Sequence, residues 1–250
     1  MCIRDRLRGH QVSLYEKSNQ LGGQVLVASK APRRSEFEEI SRYLSHEISR
    51  LGVNVALNTE VSSELVMDHK PDAVIVATGA KPVIPRLPGI DNLCVCTSWE
   101  VFSEEKNISG KAVVLGGGQS ACEVAEYLAA EGIQVILVAP DKSLAEDLQG
   151  TARGTILFRE LEAKNVDIRL ETTIERILDN EVTVQNAGKF DTIKDVANVV
   201  IAKGRHPENA LYEDLLAQSG LMEVFGVGDC MAPRKSIDAI AEASQLARWV

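Results

Sequence analysis

The feature that most restricts what this chain can fold into is the run Gly116-Gly117-Gly118-Gln119-Ser120-Ala121. It fits the pattern G-x-G-x-x-A. The preceding Lys111-Ala112-Val113-Val114-Leu115 reads as a buried strand, residues 119–131 as a helix and residues 134–138 as a second apolar strand. In a strand–turn–helix unit of this kind the first glycine makes the tight turn, the second lets a pyrophosphate approach the backbone, and a small third residue lets helix and strand pack closely. The free N–H groups and dipole of the helix N-terminus favour phosphate. A glycine motif alone is weak, but here both flanks and the returning strand agree. Gly116, Gly118, Gln119, Ser120 and Ala121 are therefore candidate dinucleotide contacts, against the plainer reading of a glycine-rich turn that binds nothing.

The second strand leads into Val138-Ala139-Pro140-Asp141-Lys142. A carboxylate at its end would accept the ribose hydroxyls of NAD. Ala139 occupies the expected position and Asp141 comes two residues late. The missing carboxylate and the nearby Lys142 turn the expectation toward NADPH, with NADH open; ordinary solvated loop charges are the competing reading.

The rest of the chain alternates strand and helix. Residues 11–16, 53–57, 73–77, 166–170, 198–202 and 223–227 read as strands. Helices are expected over 35–51, with Ser35 and Glu38 as a capping box, over 151–164 and over 236–249. On the last, Ile237, Ile240, Ala241, Ser244 and Ala247 share one face. Residues 174–178 and 182–185 suggest a small antiparallel insert. Pro82, Pro85 and Pro88 make a rigid connector, the best place for a domain crossing. Such alternation implies α/β architecture with parallel sheets covered by helices.

The leading unit repeats the later one without its beginning. Glu16 ends a strand in the place that Ala139 holds in the later unit, and the matching glycine turn would precede residue 1. Glu16 is then a candidate ribose ligand. Ala77-Thr78-Gly79-Ala80 follows an apolar strand and lets the backbone pass close to a flat cofactor. Near the end, Gly228-Asp229 follows a strand, which suits a sugar-alcohol hydroxyl, and the helix starting at Ser236 and Ile237 presents N–H groups to an electron-rich ring edge.

The charge balance excludes other classes. With 27 Lys+Arg against 36 Asp+Glu the net charge is −9, so no basic stripe for nucleic acid is expected. No apolar run reaches the ~18–20 residues of a membrane span, and no signal peptide is read. Cys2, Cys94, Cys96, Cys122 and Cys230 contain no C-x-x-C pair, so neither a redox dithiol nor a zinc ribbon is expected. They read as small buried or half-buried thiols of a cytoplasmic protein. His10, His46, His69 and His206 are scattered, read as surface or capping residues, and no metal ligand is named. Trp99 and Trp249 read as packing residues.

The order of these motifs resembles the two-dinucleotide-domain flavoprotein reductases. More narrowly it is similar to the C-terminal flavin module of the 2,4-dienoyl-CoA reductase, trimethylamine dehydrogenase and enoate reductase (NADH:flavin oxidoreductase) family. The residues that carry the resemblance are Gly9-His10-Gln11-Val12-Ser13-Leu14-Tyr15-Glu16, Leu21-Gly22-Gly23-Gln24, Arg42-Tyr43-Leu44, Asn58-Thr59-Glu60-Val61, Ala77-Thr78-Gly79-Ala80 with Pro82, Gly116-Gly117-Gly118 and Gly228-Asp229. The most diagnostic is Pro233-Arg234-Lys235-Ser236-Ile237-Asp238-Ala239-Ile240, followed by Glu242. Residues 1–6 do not match it.

The resemblance implies two Rossmann-like dinucleotide-binding domains. An NAD(P) domain, 97–204, would be inserted into a discontinuous FAD domain, 7–96 and 205–250, that lacks its first strand. Glu16 would hold the FAD ribose, Gly22, Gly23 and Gln24 would line the pyrophosphate and flavin, and Val61 would meet the adenine. Ala77, Thr78 and Gly79 would flank the FAD, with Asp229 on the ribityl chain. The glycine run, Asp141 and Gly204 belong to the NAD(P)H side. Hydride would pass from NAD(P)H to FAD, with no side-chain acid or base named as catalytic. A barrel domain with FMN and a [4Fe–4S] cluster, which this chain does not contain, would reduce an unsaturated acyl-CoA or similar alkene. The alternatives are a stand-alone NAD(P)H:acceptor reductase, or a non-catalytic module with structural ADP in the second site. The chain reads as a fragment that retains flavin poorly by itself.

Overall fold

The computed structural model describes all residues except Ser219 and Leu221. In chain order the elements are α1 (Cys2–Leu7), β1 (Ser13–Tyr15), α2 (Gln24–Ser29), α3 (Glu36–Arg50), β2 (Asn54–Ala56), α4 (Ser63–His69), β3 (Ala73–Val76), β4 (Ala80–Pro82), β5 (Val95–Thr97), α5 (Ser98–Phe102), β6 (Lys111–Leu115), α6 (Gln119–Ala130) and β7 (Gln134–Val138). There follow α7 (Ala152–Ala163), β8 (Asp167–Arg169), β9 (Thr172–Ile177), β10 (Glu181–Asn186), β11 (Lys189–Lys194), β12 (Val196–Ile201), β13 (Arg205–Pro207), α8 (Ala210–Gln218), β14 (Glu223–Gly226) and α9 (Ser236–Leu246). The chain divides into two compact units, one of residues 1–26, 36–81 and 205–250, the other of residues 27–35 and 82–204.

The second unit is built on a five-stranded sheet in the order β5-β12-β6-β7-β8. Every described pairing in it is parallel, with Val114 beside Leu137 and Val200. Side chains alternate between its two faces with the period of two that a strand imposes. Ala112 and Val114 of β6, Val135 and Leu137 of β7, and Val200 of β12 join one core with Val101, Phe102, Val124, Leu128, Leu157 and Leu161 from α5, α6 and α7. Val113 and Leu115, Ile136 and Val138, and Val199 and Ile201 join another with Ile174, Ile177, Val182, Val184 and Ile193. A fully buried side chain of this size contributes roughly 1.5–3 kcal/mol, so the central strands β6, β7 and β12 carry apolar residues toward both faces, apart from Lys111, Gln134 and Asn198.

The cover of that second face corrects the sequence expectation. It is a three-stranded antiparallel sheet, β11-β10-β9, in place of helices. The third strand, β11, was not foreseen. Its pattern is polar except for the buried Ile193, and Phe190 is exposed, so it lacks the alternation that marks a strand.

In the first unit the strands pair only two at a time. β1 lies parallel to β2, with Leu14 beside Val55, and β3 lies parallel to β14, with Ile75 beside Phe225. In the other unit the strand ahead of the glycine run, β6, has a parallel neighbour on each side. The first unit has no counterpart of β6 among the described residues. Its buried cluster is correspondingly small, consisting of Val66, Val76, Leu215 and Cys230.

The helices of this unit show the same economy. On α3 Ile48 is buried, while Ile40 and Leu44 are exposed. On α9 the face shared by Ile237, Ile240, Ala241, Ser244 and Ala247 is sheltered only toward its C-terminal end. Ile237 and Ile240 are 69% and 59% exposed, and the half-buried residues are Asp238, Ala239, Glu242, Ala243, Ser244 and Leu246. Of the expected five only Ala247, one residue beyond the helix, is buried. Trp249 is 86% exposed and is not a packing residue; Trp99 is half-buried. The cysteines are unpaired, with Cys96, Cys122 and Cys230 buried and Cys2 and Cys94 half-buried. No described helix is long and apolar enough to cross a membrane.

Candidate functional site

In the second unit the glycine run forms the turn between β6 and α6. Gly116 sits at φ +147°, and a Cβ there would lie 2.3 Å from the Ala202 carbonyl oxygen, which no side chain tolerates. Ala121 is fully buried and packs the start of α6 onto the sheet. Gly118 is the N-cap of α6, at φ −80°, and a Cβ added to it would meet nothing within 4 Å. The first glycine is thus demanded by the fold, whereas the second faces open, exposed space together with Ser120. That is the division of labour a pyrophosphate cradle requires.

The middle position, Gly117, was not foreseen as a site residue. A Cβ there would lie 2.2 Å from Asp141 Oδ2, so the glycine makes room for that carboxylate. A Cβ added to Gly204, at φ +85°, would meet nothing within 4 Å, and the Gly204 carbonyl accepts from Val83 N at 3.0 Å. One turn into α6, Glu123 Oε1 accepts from Gln119 Nε2 at 2.8 Å, Arg34 at 2.6 Å and Arg153 at 2.5 Å. A turn further, Glu126 takes a two-pronged bond from Arg33, at 2.7 and 2.6 Å. These ion pairs hold the strap of residues 27–35 against α6.

In the first unit the structure brings several of the expected flavin residues together. A Cβ on Gly79, at φ +78°, would fall 2.8 Å from the Gln24 amide nitrogen, so Gln24 lies against the turn that holds Thr78. Thr78 Oγ1 donates to the Glu208 carbonyl at 2.5 Å, and Glu208 N donates to the Gly79 carbonyl at 3.0 Å. Gly22 at φ +126° has no space for a side chain because Ser41 Oγ and Leu26 crowd it, and Gly23 follows at φ +45°. Glu16, just after β1, accepts from Ser18 N and Ser18 Oγ at 2.8 Å each. Thr59 N donates to the Glu16 carbonyl, which brings the approach to Val61 beside that strand end.

Asp229 lies in the short turn after β14. Its Oδ2 accepts from Arg205 Nε at 2.7 Å and its Oδ1 from Arg234 N at 3.0 Å. Gly228 N donates to Glu242 Oε2 at 2.9 Å, and Glu242 also pairs with Arg234. Ser236 and Ile237 open α9, where Asp238 accepts from Lys235 N at 3.1 Å. Arg205 and Glu208 escaped the sequence reading, because their partners lie 24 and 130 positions away.

The titratable groups here do not resemble an acid–base centre. The departures from ordinary values that bear on function are in thiols, where burial pushes Cys96 and Cys122 up to about 12. Arg33 is raised by its hydrogen bond to Glu126. No group of His, Cys, Asp or Glu among the described residues could hold a metal ion.

A bilirubin reductase of Mediterraneibacter gnavus is 37% identical over 242 residues, covering 96% of this chain and 37% of the relative. An NADH oxidase of Thermoanaerobacter brockii is 34% identical over 245 residues, with 96% and 37% covered. The solved structure of a 2-naphthoyl-CoA reductase in complex with 2-naphthoyl-CoA superposes with a TM-score of 0.90 at 30% identity, over 100% of this chain and 38% of that one. The chain therefore spans less than half the length of the relatives it matches. Residues 4–247 match one family over almost the whole chain, and it binds FAD and NAD(P)H: the chain belongs to the pyridine nucleotide-disulphide oxidoreductase family.

Proposed function

We propose that the unit of residues 1–26, 36–81 and 205–250 holds FAD and the unit of residues 27–35 and 82–204 holds NAD(P)H. The module then passes hydride from the nicotinamide to the flavin on behalf of a larger enzyme. The observation that carries this reading is the glycine turn at Gly116–Gly118, closed to side chains on the fold side and open on the other. Gly118, Gln119 and Ser120 present the N-terminus of α6 to the pyrophosphate, while Ala121 keeps that helix close to the sheet. In the flavin unit Glu16 receives the ribose, Gly22, Gly23 and Gln24 flank the pyrophosphate and ring, and Val61 meets the adenine. Ala77, Thr78 and Gly79 flank the cofactor, Asp229 faces the ribityl chain, and Ser236 and Ile237 offer N–H groups to the ring edge.

The flavin, when bound, supplies the hydride-accepting chemistry; the chain supplies orientation and charge. Hydride transfer moves no proton through a side chain, so no residue here is assigned as acid or base. In the parent, a barrel domain carrying FMN and a [4Fe–4S] cluster would take the electrons to an unsaturated acyl-CoA or a similar alkene. The 30% identical reductase solved in complex with 2-naphthoyl-CoA supports the acyl-CoA class.

The test is anaerobic mixing of the FAD-loaded parent enzyme with NADH or NADPH. Bleaching of the flavin's visible absorbance at one equivalent of nucleotide is the expected result. Nucleotide binding without bleaching would instead favour the reading of a structural ADP site.

A further inference from the structure

We infer that Asp141 is the residue that receives the adenosine ribose diol and that it makes the second unit selective for the coenzyme without a 2′-phosphate. This rests on the assignment of the dinucleotide to that unit and goes beyond it by naming which of the two coenzymes is taken.

The usual strand-end position cannot supply a ligand here. Ala139 is fully buried, and its Cβ would lie 3.3 Å from a Cβ on Gly117. The chain then turns through Pro140 and brings a carboxylate back over the glycine run. A Cβ on Gly117 would lie 2.2 Å from Asp141 Oδ2 and 3.0 Å from its Cγ. Only glycine at position 117 allows that approach.

The loop that carries Asp141 is held at both ends. Ala139 N donates to the Arg169 carbonyl at 3.0 Å, Thr172 N to the Ala139 carbonyl at 2.9 Å and Glu171 N to the Asp141 carbonyl at 3.0 Å. Beyond it, Ala145 N donates to the Gly117 carbonyl at 2.7 Å. Position 141 is thereby tied to the glycine turn itself, and the two-residue delay seen in sequence disappears in space.

The carboxylate is exposed, and it has no hydrogen-bond or ion-pair partner among the described residues. It is an acceptor with free capacity beside the phosphate-binding helix N-terminus. A ribose 2′-hydroxyl can donate to it; a 2′-phosphate, dianionic and without a donor, is repelled. Lys142, exposed next to it in sequence, is the opposing influence, but nothing ties its ammonium to the glycine turn.

The experiment is titration calorimetry of the 250-residue chain with ADP-ribose and with 2′-phospho-ADP-ribose, which needs neither flavin nor turnover. The expected result is at least ten-fold tighter binding of ADP-ribose, with Asp141→Asn losing most of that preference while binding both probes. Equal affinity, tighter binding of the phosphorylated probe, or an unchanged preference in Asp141→Asn would overturn the inference while leaving the nucleotide assignment intact. Binding of neither probe would overturn both.

Discussion

The two glutamates on α6 allow a graded test of what holds the strap of residues 27–35. Glu123 is buried and faces Arg34, whose side chain is only 14% exposed, as well as Arg153 and Gln119. Glu126 is also buried, but its principal partner Arg33 is 49% exposed. Truncating Glu123 leaves a desolvated guanidinium without its carboxylate, which should cost about 3–5 kcal/mol. Truncating Glu126 lets Arg33 return to water, so the loss should be about 1–3 kcal/mol. The ordering, Glu123→Ala worse than Glu126→Ala, follows from the exposure of the partner and not from bond length, since Glu126 has the two-pronged geometry. The measurement is urea unfolding in a Trp249→Phe background, where Trp99 on α5 reports on the second unit alone. Phe102 of that helix packs edge-on against Tyr127 of α6 at 5.4 Å between ring centres. Unchanged m-values would show that the same surface is being exposed. A costlier Glu126→Ala, or losses below about 1 kcal/mol for both, would refute the reasoning, because exposed pairs contribute no more than that.

Three further outcomes are expected. Gly118→Ala should keep the fold, since its Cβ meets open space, yet weaken nucleotide binding. Gly116→Ala should lose about 1–3 kcal/mol of stability through the clash with Ala202, and equal stability of the two variants by thermal unfolding would contradict the assignment. Cys96 and Cys122, pushed up to about 12 by burial, hold only about one thiolate in ten thousand at pH 8 and should resist alkylation in the native chain. Half-buried Cys94 should react before them, and mass analysis of labelled peptides decides it. Finally, Asp5 Oδ1 is buried without a partner among the described residues, and desolvation raises its carboxyl above the ordinary 3.8. The folded chain then binds this proton more tightly than the unfolded chain, so stability falls as pH rises from about 3.8 through the raised value. Asp5→Asn should stabilise at neutral pH, with the gain vanishing in acid. A melting temperature unchanged at pH 7 would count against it.

The strand–turn–helix–strand of residues 111–138 was legible because all its signals are local. Glycine marks the turn, apolar runs mark buried strands, and both match the elements to within a residue. The flavin-side residues were named from motif order, and it took the fold to place Gln24 against Gly79 and Asp229 against Arg205. β11 was hidden because only Ile193 faces a core, which leaves no periodicity to read. On α9 periodicity groups Ile237, Ile240 and Ala241 on one face, but which face is solvated depends on what the rest of this unit packs against it.

Chain-local chemistry therefore determined the α/β class and the position of the phosphate-binding turn, since backbone freedom at Gly116 and strand burial depend on near neighbours. Tertiary structure alone decided which face of α9 is solvated, that an antiparallel sheet covers the second core, and that Arg33 and Arg34 reach the acids of α6. It also returned Asp141 to the glycine turn through loop hydrogen bonds. Each of these is set by partners distant along the chain, whose approach depends on how whole elements pack.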